Sequence, residues 1–169
     1  YEITVTLINW YSCDDINQLI ENLCRKAADP DSFRVLIIDN TNGTDSGSVY
    51  VFARDGTTWT QQAKLKASDP ARHVHFGASV DVDGDTAVVG TKKPWKNRSN
   101  KYKGKAYVFA RDTTGAWIER AKLLATNSTP RDSFGNTVAI DGDTILIGAN
   151  TDNDKGKVYL FTRNASGDW

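Results

Sequence analysis

Hydrophobic and polar positions alternate in two stretches of the chain that begin 58 residues apart, at Phe76 and Phe134. Each stretch reads Phe-Gly, then a run with apolar residues at every second position, then Asp-Gly-Asp. Alternation with a period of two predicts a half-buried β-strand, and Asp-Gly predicts a tight hairpin because glycine adopts the positive φ of the turn. The runs that follow, 86–89 and 144–147, are apolar and rich in β-branched residues, which predicts strands buried on both faces.

A second phrase accompanies this hairpin and occurs three times, as VYVFARD at 49–55, AYVFARD at 106–112 and VYLFTRN at 158–164. After the first two copies come a polar turn, a tryptophan and the sequence Ala-Lys-Leu. Together the phrases predict about four short strands in each unit of about 57 residues, which is the content of one β-propeller blade. The third copy leads to Trp169 without an Ala-Lys-Leu strand, so we expect the last blade to present an open edge.

The Phe-Gly opening, the Gly-Asp-Thr hairpin and the glycine that closes the apolar run resemble the FG-GAP repeat across residues 47–169. In that family the repeats build the β-propeller of integrin α chains and of many bacterial surface proteins. The resemblance implies a propeller fold, a non-enzymatic binding or adhesion function, and a location outside the cell or at its surface. The chain departs from the family's Gly-Ala-Pro, since it has Gly-Thr-Lys at 90–92 and Gly-Ala-Asn at 148–150.

The first 46 residues differ from the repeats in composition and in pattern. They carry eight acidic and three basic side chains, a net charge of −5. Because the whole chain is neutral, residues 47–169 carry a net charge of +5. A β-branched strand at 3–8, an apolar helical stripe at 16–27 and an apolar strand at 33–39 predict a right-handed βαβ unit with parallel strands. We therefore expect a βαβ segment at 1–46 and a β-repeat region at 47–169.

The N-terminal segment resembles the opening of family-2 glycosyltransferases with the GT-A fold, in the stretch VTLINWYSCDDINQLIENLCRKAADPDSFRVLIIDNTNGTDS. In that family a loop after the first strand contacts the nucleotide, and an aspartate that ends the second strand binds the nucleobase or ribose. The resemblance implies that Asn9 and Asp39 bind a nucleotide sugar; the alternative is that Asp39 is a turn residue with no ligand. The rest of that fold is missing, and Asp81-Val82-Asp83 belongs to the repeat hairpin rather than to a metal-binding Asp-x-Asp motif.

One acidic loop is a candidate metal site. It places Asp152, Asn153 and Asp154 in a row, and carboxylate and amide oxygens are the ligands that Ca²⁺ prefers. Acidic loops at this point of the blade bind calcium in some FG-GAP proteins, so the resemblance implies Ca²⁺ as a candidate ligand. The usual Asp-x-Asp-x-Asp-Gly order is absent, and a solvated turn is the alternative. We expect no other cofactor.

A basic loop between the two repeats is a second candidate binding site. Clustered cations with aromatic side chains can hold a nucleic acid strand, an anionic glycan or an acidic protein surface. Of these we expect a glycan or an acidic protein rather than a nucleic acid, and the alternative is a solvated loop with no ligand. The residues are Lys92, Lys93, Trp95, Lys96, Arg98, Lys101, Lys103 and Lys105.

The sequence indicates no catalytic site, because it contains no Ser-His-Asp set, no glycine-rich phosphate loop and no carboxylate pair at a defined spacing. It also contains no apolar run of the ~20 residues that a membrane span needs. Three hypotheses follow: a non-enzymatic β-repeat binding or adhesion module, a glycosyltransferase remnant that binds nucleotide sugars, and a structural subunit that assembles with copies of itself.

The expected fold is mainly β with a small α/β N-terminal segment. It comprises about two to two-and-a-half propeller-type antiparallel blades plus one βαβ unit. An incomplete array of repeats leaves blade edges open, so we expect self-association.

Overall fold

The protein is built from β-strands that form three sheets. The computed structural model describes residues 3–8, 33–39, 47–55, 58–70, 74–92, 104–127, 133–150 and 156–169, with the backbone alone for the first two ranges. The strands are β1 Ile3–Ile8, β2 Phe33–Asp39, β3 Ser48–Asp55, β4 Thr58–Leu65, β5 His75–Asp83, β6 Thr86–Lys92, β7 Ala106–Arg111, β8 Trp117–Leu123, β9 Ser133–Asp141, β10 Thr144–Asn150 and β11 Lys157–Thr162. We call the sheets β1–β4, β5–β8 and β9–β11 the first, second and third blades.

The second and third blades are the two predicted repeats. The second is a meander in the order β5-β6-β7-β8, with every neighbouring pair antiparallel, and the third has the corresponding first three strands. The β5–β6 and β9–β10 hairpins turn at Gly84 and Gly142, where φ is +52° and +54°. Residues with a Cβ rarely adopt such positive φ angles, so the structure confirms both the predicted Asp-Gly hairpins and the reason for their glycines.

The first blade combines strands from both parts of the sequence. β3 and β4 form an antiparallel hairpin equivalent to β7 and β8, and β2 pairs with the other edge of β3. β1 then pairs with β2 in parallel, with Ile3 opposite Phe33. Parallel pairing is what the predicted βαβ unit requires, and the predicted helix lies outside the described residues. The sequence did not predict that these strands share a sheet with the repeats, and the boundary at residue 46 stays a prediction.

Apolar side chains form one layer between each pair of neighbouring blades. The first layer joins Val49, Val51 and Leu65 of the first blade to Phe76, Val80, Val82, Ala87, Val89, Tyr107 and Phe109 of the second. The second layer joins Val88, Ala106, Val108, Leu123 and Ala125 of the second blade to Phe134, Val138, Ile140, Ile145, Ile147 and Ala149 of the third. Consecutive residues of β6 thus enter different layers, which confirms the prediction that 86–89 are buried on both faces.

Burial on both faces was also predicted for residues 144–147, and there the prediction is wrong. Ile145 and Ile147 are fully buried, whereas Leu146, on the opposite face of β10, is 43 % exposed. At the equivalent position in the second blade, Val88 is 0 % exposed because the third blade covers it. No described part of the chain covers the corresponding face of the third blade.

Candidate functional site

Each blade has two different faces, and this difference gives the stack of blades a direction. One face carries aromatic side chains and packs on the preceding blade: Tyr107 and Phe109 in the second blade, Tyr159 and Phe161 in the third. The other face carries small or branched aliphatic side chains and packs on the following blade. We call them the aromatic face and the aliphatic face. Each blade therefore presents aromatic side chains to the blade before it and aliphatic side chains to the blade after it.

Polar bonds also cross from the aliphatic face of the second blade to the third. They run from Ser79 Oγ to the Gly135 carbonyl oxygen (2.8 Å), from the Ile140 N–H to the Asp81 carboxylate (2.8 Å) and from the Gly142 N–H to the Asp83 carboxylate (2.6 Å). Each bond satisfies a backbone group of the third blade that its own strand ladder leaves unpaired. Because such bonds need exact positions, they fix how the third blade is placed along the second.

The aliphatic face of the third blade is exposed where that of the second blade is buried. Val88, Ala106 and Val108 of the second blade are each 0 % exposed, and the equivalent Leu146, Val158 and Leu160 of the third are 43 %, 71 % and 64 % exposed. A soluble protein rarely leaves several large apolar side chains together in water unless the surface binds something. This face is therefore the candidate functional site.

Other features of the face match the covered face of the second blade. Thr137 and Asp141 stand exposed at two of the positions that make the polar bonds between the second and third blades. Gly148 corresponds to Gly90. A Cβ added at Gly90 would fall on the carbonyl oxygen of Gly135, whereas a Cβ added at Gly148 would have the Thr137 Cβ as its nearest atom, at 3.3 Å. The surface thus keeps both polar groups and the room for another protein backbone to come close.

A polar junction holds the loop after the first blade against the second blade. The Asp69 carboxylate accepts hydrogen bonds from Lys105 Nζ (2.5 Å), Lys122 Nζ (2.8 Å) and Tyr107 Oη (2.7 Å). Burial alone raises the pKa of Asp69, but the hydrogen bonds from Lys105, Lys122 and Tyr107 outweigh it and hold the pKa well below its ordinary value. Asp69 is therefore ionised at neutral pH and joins the two blades.

Asp69→Asn should destabilise the fold at pH 7 by about 1 kcal/mol, a modest loss because the carboxylate side chain is 39 % exposed and solvent screens its ion pairs. Asn127, 58 residues after Asp69, has an amide at the equivalent position, and its Oδ1 accepts a hydrogen bond from Tyr159 Oη of the third blade at 3.0 Å. The folded pKa is lowered, so the carboxylate stabilises the fold fully above the unfolded pKa of about 3.9 and loses this effect progressively as pH falls from there through the lower folded pKa.

Denaturant melts of wild type and Asp69→Asn should therefore differ at pH 7, and the difference should shrink progressively as pH falls below about 4. Ser79→Ala is the control, because it removes a hydrogen bond between two neutral groups, Ser79 Oγ and the Gly135 carbonyl, and should lower stability by a similar amount throughout this pH range. A gap between wild type and Asp69→Asn that is as large at pH 2 as at pH 7 would contradict this assignment.

The structure describes few of the side chains predicted from sequence to bind ligands. Asp39 is the last residue of β2, where its backbone lies opposite Ser48 of β3. The side chains of Asn9, Asp39, Asp152, Asn153 and Asp154 lie outside the described part of the protein. Within that part, no three His, Cys, Asp or Glu side chains gather in a group that could hold a metal ion. The nucleotide-sugar and calcium sites stay predictions.

The basic loop has one described side chain, that of Lys105, and its ammonium group is bonded to Asp69 within the protein. Lys92 ends β6, but its side chain is not described, and the other predicted polyanion-binding residues lie outside the described ranges, so the role of the whole set stays a prediction; they are Lys93, Trp95, Lys96, Arg98, Lys101 and Lys103. As for a membrane partner, the ranges that the structure describes contain no helix long and apolar enough to cross a bilayer.

Sequence reasoning missed both the aliphatic face and the polar bonds across it. The sequence carried no local signal for the face, because Leu146 lies between two other apolar residues, Ile145 and Ile147. The signal for the bonds was Asp81 and Asp83, which alternate with Val80 and Val82 and must therefore lie on the other face of β5. Alternation showed which residues share a face, but not which face another blade covers.

Comparison with known families recognises the repeat. The FG-GAP repeat family matches residues 59–109 and 117–161, which together are more than half of the 169 residues. Each matched stretch runs from the outer strand of one blade through the first three strands of the next, β4–β7 and then β8–β11. A search of curated proteins found no match.

Proposed function

The chain belongs to the FG-GAP repeat family, and we propose that it is a non-enzymatic binding module that assembles with a second copy of itself through the aliphatic face of its third blade. One observation carries the proposal. Leu146, Val158 and Leu160 are exposed at positions whose counterparts in the second blade are fully buried by a neighbouring blade. This face has the composition of a blade–blade contact, which supports packing against another protein surface of the same kind.

A second copy suits this surface because an apolar patch can complement itself. Apolar contact is non-directional, and a two-fold axis brings the same patch of both copies together. Two β-sheets packed in this way lie about 10 Å apart with their side chains interdigitated. Burial of the two leucines and the valine on each copy then removes from water three of the five exposed large apolar side chains among the described residues.

The described side chains on the aromatic face of the first blade, all from β3 and β4, offer less apolar surface to a partner. That face, which points away from the second blade, carries Tyr50 and Phe52, and both side chains are already half-buried. Lys64 Nζ also lies 4.8 Å from the centre of the Tyr50 ring, so a cation occupies part of this face. The contrast with the third blade favours a face-to-face dimer of third blades over a head-to-tail chain of copies.

Leu160→Glu should convert a dimer to a monomer at micromolar protein concentration, because two like charges and their hydration then oppose burial of the face. Leu124→Glu is the matched control, since Leu124 is 51 % exposed but follows β8 and lies outside the aliphatic face of the third blade. Light scattering coupled to size exclusion gives the molar mass of wild type and both variants over a range of concentrations.

We expect wild type and Leu124→Glu to have twice the monomer mass and Leu160→Glu to have the monomer mass. Thermal melts check that all three proteins are folded, which they should be because both leucines are exposed. A wild type that stays monomeric throughout, or a Leu160→Glu variant that still dimerises, would overturn the proposal that third blades pair through this face.

A further inference from the structure

The polar junction at Asp69 has a counterpart one blade later, and the two differ in the charge of one side chain. Tyr107 and Tyr159 are equivalent, since they lie opposite equivalent residues of β6 and β10. Each donates its hydroxyl to a side chain of the connection that precedes its blade: Tyr107 to an Asp69 carboxylate oxygen at 2.7 Å, and Tyr159 to the Asn127 amide oxygen at 3.0 Å. The second blade thus has a carboxylate where the third has an amide.

The lysine of the junction also has a counterpart. Lys105, two residues before Tyr107, forms an ion pair with Asp69. Lys157 holds the same place in the third blade, two residues before its tyrosine. An ionised oxygen accepts stronger hydrogen bonds than a neutral one and also attracts an ammonium group. Asn127 therefore carries no charge at a place where the fold supplies a tyrosine and a lysine, as it does for Asp69.

Asn127 also has the features of an asparagine that deamidates. It is exposed, it lies in a turn after β8, and the residue that follows it, Ser128, is small. In such a turn the backbone nitrogen of the following residue can attack the side-chain Cγ, and a small neighbour leaves the approach open. Asn164 is held differently, since its Oδ1 accepts two backbone N–H groups of its own turn, both at 2.9 Å. Asn127 is therefore the more reactive of the two.

We propose that Asn127 is a deamidation site, and that its conversion to aspartate gives the third blade the ion-paired junction that Asp69 gives the second. The Ser128 nitrogen attacks the Asn127 Cγ, the side-chain nitrogen leaves as ammonia, and water opens the cyclic imide, so that an amide and water become a carboxylate and ammonium. The new carboxylate accepts a charge-assisted hydrogen bond from Tyr159 and pairs with Lys157. The junction lies within one chain, so the inference is independent of the proposed dimer.

Peptide mapping of aged protein tests the chemistry. The folded wild type is kept at mildly alkaline pH for several weeks, and trypsin then releases residues 123–131, a peptide in which Asn127 is the only asparagine. We expect the mass of this peptide to rise by the difference between an amide and an acid, with aspartate among the products that chromatography separates, while Asn164 stays an amide. Ser128→Val is the matched control, because its branched side chain hinders the attack and should slow the conversion severalfold.

Asn127→Asp supplies the product directly and tests the junction in fresh protein. It should raise the melting temperature at pH 7 by about 2 °C, a small gain because the site is exposed. Thr126→Asp is the matched control, since it adds the same charge to an exposed neighbour in the same turn and should not raise the melting temperature. In a Lys157→Gln background, Asn127→Asp should give a clearly smaller gain, because the partner of the new carboxylate is gone.

Each outcome decides one half of the proposal. Aspartate at position 127 in aged wild type supports the deamidation site, whereas an Asn127 that stays an amide, or isoaspartate as the sole product, would overturn it. A gain in melting temperature that is specific to Asn127→Asp and depends on Lys157 supports the ion-paired junction. If Asn127→Asp is no more stable than Thr126→Asp, or gains as much without Lys157, the junction does not form.

Discussion

Gly135→Ala should cost the fold about 4 kcal/mol or more, a loss that few single substitutions reach. Gly135 has φ of +86°, which disfavours any residue with a Cβ, and its backbone also lies directly against the second blade. An added Cβ would fall on the carbonyl oxygen of Lys105 and would lie 3.1 Å from the Thr91 backbone N. Both of these are backbone atoms, so the collision is not relieved by rotation of a side chain.

The neighbouring backbone also resists a shift. The Thr91 N–H and Oγ1 both bond to the Lys105 carbonyl oxygen, at 3.0 and 2.9 Å, and Gly104 forms a parallel bridge with Phe134. Movement of Lys105 away from a new methyl group would break these bonds and would leave buried polar groups unpaired. The collision therefore destabilises the contact between the second and third blades.

Gly142→Ala is the control that separates the collision from the backbone strain. Gly142 also has positive φ, +54°, but a Cβ there would meet no atom within 4 Å. Its substitution should cost only the strain of the left-handed conformation, about 1–2 kcal/mol. Urea melts followed by tryptophan fluorescence measure both variants, since Trp169 packs against the second apolar layer. Equal losses for the two variants would show that strain alone accounts for the effect of Gly135→Ala.

The strands and hairpins of the repeats could be predicted from the sequence because their signals are local. Alternating apolar residues after Phe76 and Phe134 define β5 and β9, and the Asp-Gly pairs define the turns. The spacing of 58 residues then shows that the two units are equivalent. Each signal lies within about ten residues, which is the range over which a period of two specifies a strand and its buried side.

The contacts between blades could not be predicted in the same way, because they join residues that are far apart in sequence. Nothing near Asp81 indicates that its carboxylate accepts the N–H of Ile140, 59 residues later. Nothing near Leu146 distinguishes it from Val88, yet one is exposed and the other is buried by a following blade. The pairing of β2 with β3 was missed for the same reason, since the change in composition after residue 46 gave no sign that strands on either side of it share a sheet.

Phe134→Ala and Phe76→Ala should each destabilise the protein by about 3–5 kcal/mol, the usual cost of removing a fully buried aromatic ring. Phe134 is 0 % exposed, and its ring lies edge to face against Tyr159 at 5.2 Å and Phe161 at 6.2 Å between ring centres. Phe76 has the equivalent environment one blade earlier and is 1 % exposed. Because each ring fills one layer between two blades, alanine leaves a cavity that rigid strands on both sides cannot close.

The two substitutions should weaken different parts of the protein. Hydrogen exchange measured by mass spectrometry should show the largest increase in β9–β11 for Phe134→Ala, because that ring holds the third blade on the second. For Phe76→Ala the increase should centre on the first layer, in β3–β7. Leucine at either position keeps most of the apolar volume and should recover more than half of the lost stability. If both alanine variants raise exchange equally in all three blades, the layers do not act separately, and the blades unfold as one cooperative unit.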